Sequence, residues 1–314
     1  MPGRANLPEF NFSQLQLPSP VTQVSEQLLR DKHISLFIKR DELIHPVLQG
    51  NKWRKLKYNL LAAQQQQQST LLSFGGPYSN HLHALAYAGK LFNFKTIGII
   101  RGEAPTVFNP CLLDMQRWGM QLEFVSRKEY REKNDAAFIQ QLEEKFGRFY
   151  RIPEGGNNNE GRKGCAELVD ELTETYDLIC CEVGSGTMFT SLLMQNAFPH
   201  THYSGFVVMK NPQLETELSQ QLKQQNIQHT QWSMNHDYHF GGFAKATPPL
   251  HDFILNFKTQ HNIQLEPVYS GKMLYGIFDL IKQDYFKPGT RILCIHGGGL
   301  QGLRGFANIY PEAG

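Results

Sequence analysis

A chain of 314 residues with 31 basic and 29 acidic side chains has a formal charge of +2 and no long run of Lys or Arg, so nucleic-acid binding is not expected. Hydrophobic residues at 40% and charged residues at 19% are ordinary globular values, which argues against disorder and for one large or two moderate domains. Nowhere do the roughly 18 apolar residues of a membrane span run together, and Met1 to Gln23 lacks the apolar core of a secretory signal. Cys111, Cys165, Cys180, Cys181 and Cys294 have no metal-ligand spacing, so a cytoplasmic protein without a metal site or membrane association is expected.

In chain order, Leu36-Phe37-Ile38 reads as a short strand and Lys52 to Gln68 as a helix ending in the solvated run Gln64 to Gln68. Thr70 to Phe74 is a strand stopped by Gly75-Gly76-Pro77, and a helix follows from Asn80 to Lys90. Thr96 to Ile100 is a strand, Cys111 to Trp118 a helix, and Leu122 to Val125 and Phe149 to Ile152 are further strands. Gly155 to Asn159 tolerates positive φ and is a candidate hinge before a helix from Gly164 to Glu174. Asp177 to Val183 is a buried strand that places Cys180 and Cys181 in the core as reduced thiols. A helix from Phe189 to Gln195 and strands from Phe206 to Met209 and Arg291 to Ile295 complete the pattern. Strands alternating with helices of this length predict an α/β fold, with parallel-rich sheets covered on both faces.

Three glycine turns follow predicted strands: Gly75 to His81, Val183 to Met188 and His296 to Gly299. Open α/β sheets bind ligands at the carboxyl ends of their strands, where helix N-termini offer free N–H groups. The turn Gly184-Ser185-Gly186-Thr187 is the best phosphate cup, since small residues let backbone amides close on an anion and two hydroxyls add donors. Phe189 at the third glycine position excludes a dinucleotide fingerprint, and no lysine follows to make a Walker loop. Such a turn also serves as a plain helix cap. Likewise Lys52, Arg54, Lys55 and Lys57 make either a basic helix face or a nucleophilic lysine whose pKa is lowered by neighbouring cations. His81 and His83 point to different sides of one helix and cannot share a metal; His236 and His239 read as solvated, and His296 is a candidate lining residue.

The segments Gly50 to Leu56, Gly75 to His81 and Glu266 to Lys272, with the Gly-Ser-Gly-Thr turn and His296-Gly297-Gly298, occur in the order found in the 1-aminocyclopropane-1-carboxylate (ACC) deaminase and D-cysteine desulfhydrase family, which the chain resembles from about Lys39 to Phe306. The resemblance implies a two-domain, fold-type-II enzyme like the tryptophan synthase β subunit, usually a homodimer, with pyridoxal 5′-phosphate (PLP) in the cleft. The large domain would comprise residues 1–52 and 165–314, and the small one residues 53–164. By position, Lys52 would form the Schiff base with PLP and move the Cα proton. Asn80 would bond the cofactor's 3′-oxygen, and Lys55 with Gly184, Ser185, Gly186 and Thr187 would hold its phosphate. Ser79, with the amides of Asn80 and His81, would hold the substrate carboxylate, and Tyr269 would lie beside the ring.

Four positions depart from the family pattern. Ser270 stands where the deaminases have a Glu, Gly297 where deaminases have Leu and desulfhydrases usually Thr, Phe243 where both have Tyr, and Tyr78 where Gln is common. A hydroxyl at 270 would bond a neutral ring nitrogen and make a weaker electron sink than a carboxylate, sufficient to expel a good Cβ leaving group. The expected activity is therefore D-cysteine desulfhydrase-like β-elimination on a small amino acid, giving a 2-oxo acid and ammonia. ACC deamination, and PLP binding with little catalysis, remain alternatives. Phe243 and Gly297 suggest a pocket for a substrate bulkier or less polar than D-cysteine.

Overall fold

In the computed structural model, which describes residues 11–195, 197–224, 227 and 231–310, the strands fall into two sheets. The first ten residues of the N-terminal stretch read above lie outside the described residues. In chain order the strands are β1 (Val21–Val24), β2 (Ser35–Lys39), β3 (Thr70–Gly75), β4 (Lys95–Arg101), β5 (Met120–Val125), β6 (Tyr150–Arg151), β7 (Leu178–Val183), β8 (His202–Val207), β9 (Trp232–Asn235) and β10 (Arg291–Ile295). The larger sheet has the order β1-β2-β10-β7-β8-β9 and the smaller β5-β4-β3-β6. All pairings are parallel except that of β1 with β2.

The helices are α1 (Gln27–Asp31), α2 (Gly50–Gln65), α3 (Asn80–Phe92), α4 (Pro110–Arg117), α5 (Arg127–Arg131), α6 (Ala136–Phe146), α7 (Asn159–Asp170), α8 (Thr187–Gln195), α9 (Leu214–Gln224), α10 (Pro248–His261) and α11 (Ser270–Lys282). Every residue of β7 is buried. Cys180 joins a cluster with Ile254, Leu274 and Ile277 of α10 and α11, whereas Cys181 and Val183 join one with Leu168, Leu192 and Leu193 of α7 and α8. Alternate side chains thus bury against helices on opposite faces, which is why a central parallel strand reads as a continuous apolar run. The smaller sheet repeats the scheme, with Leu71 and Ile100 packed with Leu82 and Leu85 on one face, and Leu72, Phe74 and Ile99 with Tyr130, Phe138 and Leu142 on the other.

The strand expected from Phe206 to Met209 begins four residues earlier and ends two earlier, because its ladder runs from Leu178↔His202 to Val183↔Val207 and its partner ends there. Helix α7 begins at Asn159 rather than Gly164, since the Asn158 side chain accepts the Gly161 N–H at 2.9 Å and caps it. Just before it, Gly155 and Gly156 do take positive φ, at 68° and 66°. Helix α2 starts at Gly50 and ends at Gln65, with Gln65, Gln66 and Gln67 exposed. The expected domain boundaries at 52/53 and 164/165 fall inside α2 and α7, which pack side by side so closely that a Cβ on Gly164 would overlap the Arg54 carbonyl oxygen. Among the described residues no helix is long and apolar enough to cross a membrane.

Candidate active site

The carboxyl ends of β7 and β10, the start of α2 and the start of α11 converge on Lys52. Gly50 opens α2 with φ +52°, and a side chain there would overlap the Gly297 carbonyl oxygen. The Asn51 N–H donates to that same oxygen at 3.2 Å, so the first turn of α2 is seated on the loop after β10. Lys52 Nζ donates to Asn51 Oδ1 and lies 5.7 Å from the centre of the Tyr269 ring. Its pKa falls to about 7, chiefly through burial and then through the Lys55 charge, against the pull of Glu182 and Glu266. An amine in that condition is a competent nucleophile and proton acceptor near neutrality.

Lys55, one turn further on, is buried and points its Nζ at Ser185 Oγ, 3.4 Å away. Burial lowers its pKa as well. Ser185 Oγ lies 3.0 Å from Thr187 Oγ1, and Gly186 adopts φ +78° before α8 begins at Thr187. A Cβ on Gly184 would come within 3.1 Å of the Tyr269 ring, so this glycine lets the turn approach the aromatic face. Lysine, hydroxyls and helix start here converge on a single anion-sized place.

Across the cleft, Ser79 caps α3, its Oγ accepting the Leu82 N–H at 3.2 Å. Asn80 Oδ1 accepts from Gln301 Nε2, and a Cβ on Gly299 would lie 2.7 Å from Asn80 Nδ2. His81 turns inward to Ser73 Oγ at 2.9 Å, and its buried Nδ1 has no hydrogen-bond partner among the described residues. Burial, with the charges of Lys55 and Lys52, lowers its pKa to about 3, so the ring is neutral. His83 instead meets Asp114 at 3.1 Å, which also takes Arg304. A narrow recess lined by Pro46, Gln49, Lys52, Asn80, Gly299 and Gln301 reaches Lys52. It shares Pro46, Val47, His83 and Gln301 with an outer cavity of about 1040 Å³.

Tyr269 and Ser270 open α11 beside this cleft. Phe243, half exposed, packs edge-on against Tyr269 with ring centres 6.0 Å apart. Its loop is fixed by Lys272, whose Nζ donates to the carbonyls of Val208, His239 and Gly242 at 3.2, 2.9 and 2.8 Å. Tyr78 is also half exposed, with Gln301 donating to its backbone oxygen. Ser270 is fully buried, and its hydroxyl donates to Glu266 Oε1 at 3.3 Å while accepting the Glu266 N–H at 3.2 Å. His296 is likewise internal, held by the Gln264 carbonyl at 2.7 Å and the Gly298 N–H at 3.3 Å.

Thus the structure brings together Lys52, Lys55, Ser79, Asn80, the turn Gly184 to Thr187, Tyr269, Phe243 and Gly297. It turns the Ser270 hydroxyl and the His81 ring towards internal partners. Sequence reasoning missed Asn51, Gln301, Lys272 and two buried carboxyls, Glu182 and Glu266. Glu182 is a single acidic residue in an otherwise apolar strand, and that anomaly was the signal available. Burial raises its pKa to about 7.

Residues 13–298 match the family described as pyridoxal-phosphate dependent enzyme. A Thermotoga maritima protein, provisionally named a 1-aminocyclopropane-1-carboxylate deaminase, is 30% identical over 91% of this chain and 95% of its own. The bifunctional D-cysteine desulfhydrase/1-aminocyclopropane-1-carboxylate deaminase of Arabidopsis thaliana is 28% identical over 95% of this chain and 80% of its own. The crystal structure of an ACC deaminase homologue superposes with a TM-score of 0.80 at 24% identity, covering 96% of this chain and 95% of that one. The chain belongs to the pyridoxal-phosphate-dependent enzymes, in the branch related to ACC deaminases and D-cysteine desulfhydrases, and has the fold-type-II architecture.

Proposed function

We propose that this member of the pyridoxal-phosphate-dependent enzymes is a deaminating lyase of a small amino acid, releasing a 2-oxo acid and ammonia from a site centred on Lys52. The observation that carries this reading is the placing of Lys52, whose amine lies 5.7 Å from the centre of the Tyr269 ring while Lys55, one turn on, reaches Ser185 of the phosphate-sized turn. The residues fit the cofactor: Lys55, Ser185 and Thr187 offer donors around one anion site, and Gly184 and Gly186 let the backbone close on it. Bound PLP supplies an electron sink for the pair left behind when a proton leaves the substrate carbon.

In this reading Lys52 would hold the cofactor and carry the proton of the substrate's Cα. Asn80, whose Oδ1 accepts from Gln301, would offer its amide to the cofactor's 3′-oxygen. Ser79 and the amides of Asn80 and His81, at the start of α3, receive the substrate carboxylate. Tyr269 would flank the ring and the proton-transfer zone, while Tyr78 and Phe243 would shape the space for the substrate side chain. Contrary to the expectation from sequence, Gly297 does not enlarge that space, because Glu182 Oε1 and Asn51 Nδ2 occupy the place its side chain would take. The cofactor would lie between lobes formed by residues 1–52 with 165–314 and by residues 53–164. We further place the enzyme in the cytoplasm as a homodimer, in keeping with its five buried free thiols.

With D-cysteine and water the products are a 2-oxo acid, ammonia and sulfide; with ACC and water they are a 2-oxo acid and ammonia. Ser270 in place of a carboxylate favours the first. The buried Glu182 carboxyl near Lys52 favours keeping the second. Purified protein given PLP should show an absorbance band near the visible edge, and Lys52→Ala should lose it. Steady-state release of ammonia from D-cysteine, related D-amino acids and ACC then ranks the substrates. No band after PLP is added sinks the reading.

A further inference from the structure

Gly297 carries no side chain, and the space one would fill is taken. A Cβ there would overlap Glu182 Oε1 and lie 2.8 Å from Asn51 Nδ2. Strands β7 and β10 pair Cys181 with Ile295, so Glu182 stands one step beyond that pair, level with the loop that follows. On β7 it alternates with Cys181 and Val183, which pack on the α7–α8 side, and so faces the other side with Cys180. Its Oε2 is buried with no hydrogen-bond partner among the described residues. An isolated buried carboxylate is costly unless something polar or cationic meets it.

The neighbouring groups do not relieve it. Glu266, also buried, accepts the N–H groups of Val268, Tyr269 and Ser270 at 2.8, 2.8 and 2.7 Å and is fully occupied in shaping the start of α11. Ser270, at the position where resemblance expects the carboxylate that serves the cofactor's ring nitrogen, spends its hydroxyl on Glu266. His296 is held at both ring nitrogens by backbone groups. Glu182 therefore holds the one buried carboxyl oxygen in this cluster that still lacks a partner, two residues before the phosphate turn and within electrostatic reach of Lys52.

Resting on the reading of this cleft as the PLP site, we propose that Glu182 is the carboxylate that meets the cofactor's ring nitrogen, reaching it through the space left by Gly297. A carboxylate there favours the protonated ring nitrogen by direct charge pairing, and a protonated ring is the stronger electron sink. Ser270 would then not limit the chemistry, and opening of a cyclopropane would stay within the enzyme's reach.

The test is the nitrogen NMR shift of the holoenzyme reconstituted with PLP labelled with ¹⁵N in the ring. Wild-type protein and Ser270→Ala should both show a protonated ring nitrogen, and Glu182→Gln, isosteric and still loaded with cofactor, should move the signal to the neutral form. A neutral nitrogen in wild type, an unchanged shift in Glu182→Gln, or a change in Ser270→Ala would overturn the proposal. If Glu182→Gln does not fold, wild type and Ser270→Ala decide: protonated in both supports it, neutral in either overturns it. Failure of wild type to retain labelled PLP would instead strike the reading of the cleft.

Discussion

Lys52 and Arg54 stand two residues apart on α2, the first partly buried at the end of a recess and the second fully buried, and their surroundings are opposites. Arg54 is held on all sides: its Nε and one terminal nitrogen grip Asp41 at 2.7 and 2.8 Å, and its terminal nitrogens grip Glu171 at 2.8 and 3.0 Å. Lys39 adds a 2.6 Å contact to Glu171, and Ser19 Oγ donates to Asp41 at 2.6 Å. Burial works against the Arg54 charge, but the two carboxylates hold its pKa above the ordinary value; Glu171 is likewise held below its own despite burial. Around Lys52 the nearby acids are occupied elsewhere or unpartnered, and both Lys52 and Glu182 sit near pH 7. Complete pairing fixes charge and structure, whereas incomplete pairing leaves protons free to move.

The paired side of this comparison breaks first at Arg54→Met. The change leaves Asp41, which is fully buried, with the Ser19 hydroxyl but no cation, and takes from Glu171 both of its bonds to Arg54. Removing one member of a buried ionic network costs about 3–5 kcal/mol, to be read by urea denaturation at pH 7. The pH dependence carries the same signature. A carboxylate whose folded pKa is depressed adds stability above its unfolded value near 4.5 and loses it as pH falls through the folded one. Wild type should lose that share on acidification, and Arg54→Met should show a flatter acid limb. A loss below about 1 kcal/mol would place Arg54 with ordinary surface charges and end the contrast.

The unpaired side predicts the opposite sign. A lysine whose folded pKa is lowered from 10.5 to about 7 makes the protonated amine a cost to folding. That cost is full below pH 7 and fades between 7 and 10.5. Lys52→Met, compared with wild type as apoproteins, should therefore be more stable at pH 6 by about 1–2 kcal/mol, less than the whole shift implies because the recess still wets the amine. Towards pH 10.5 the difference should vanish. Equal stability at pH 6 would mean that the amine is solvated and poorly prepared for chemistry.

How much of this contrast the sequence shows depends on whether partners lie nearby in the chain. β10 was legible to the residue because Arg291 to Ile295 is an apolar run bounded by turn residues. The start of α7 was hidden, since its cap, Asn158, is one asparagine among three. Helix α11 carries Met273, Leu274, Ile277, Phe278 and Ile281 on one buried face, at the spacing of a helix packed against a sheet. Lys52, Lys55 and the turn after β7 declare themselves by residue type and order. The relation of Glu182 to Gly297 does not, because it crosses between two strands far apart in sequence, and only the missing side chain makes it possible. The tie between Ser270 and Glu266 spans four residues and was nearer to hand.

The smallest effect belongs to a third cation on α2, and it shows that proximity to the site is not what sorts them. Lys57 Nζ reaches both oxygens of Glu167, at 2.7 and 2.8 Å, with geometry as good as that of Arg54. Its side chain is 21% exposed and that of its partner 29%, so water competes for both charges. Tyr58 also donates to Glu167 at 2.5 Å and would keep the carboxylate engaged without the lysine. Lys57→Met should thus cost about 0.2–1 kcal/mol by denaturation, and the difference should shrink as salt is raised towards 1 M. A salt-independent loss as large as that of Arg54→Met would show that distance alone governs these pairs. A small, screened loss would leave burial and the count of partners as what separates a structural charge from a reactive one along the same helix.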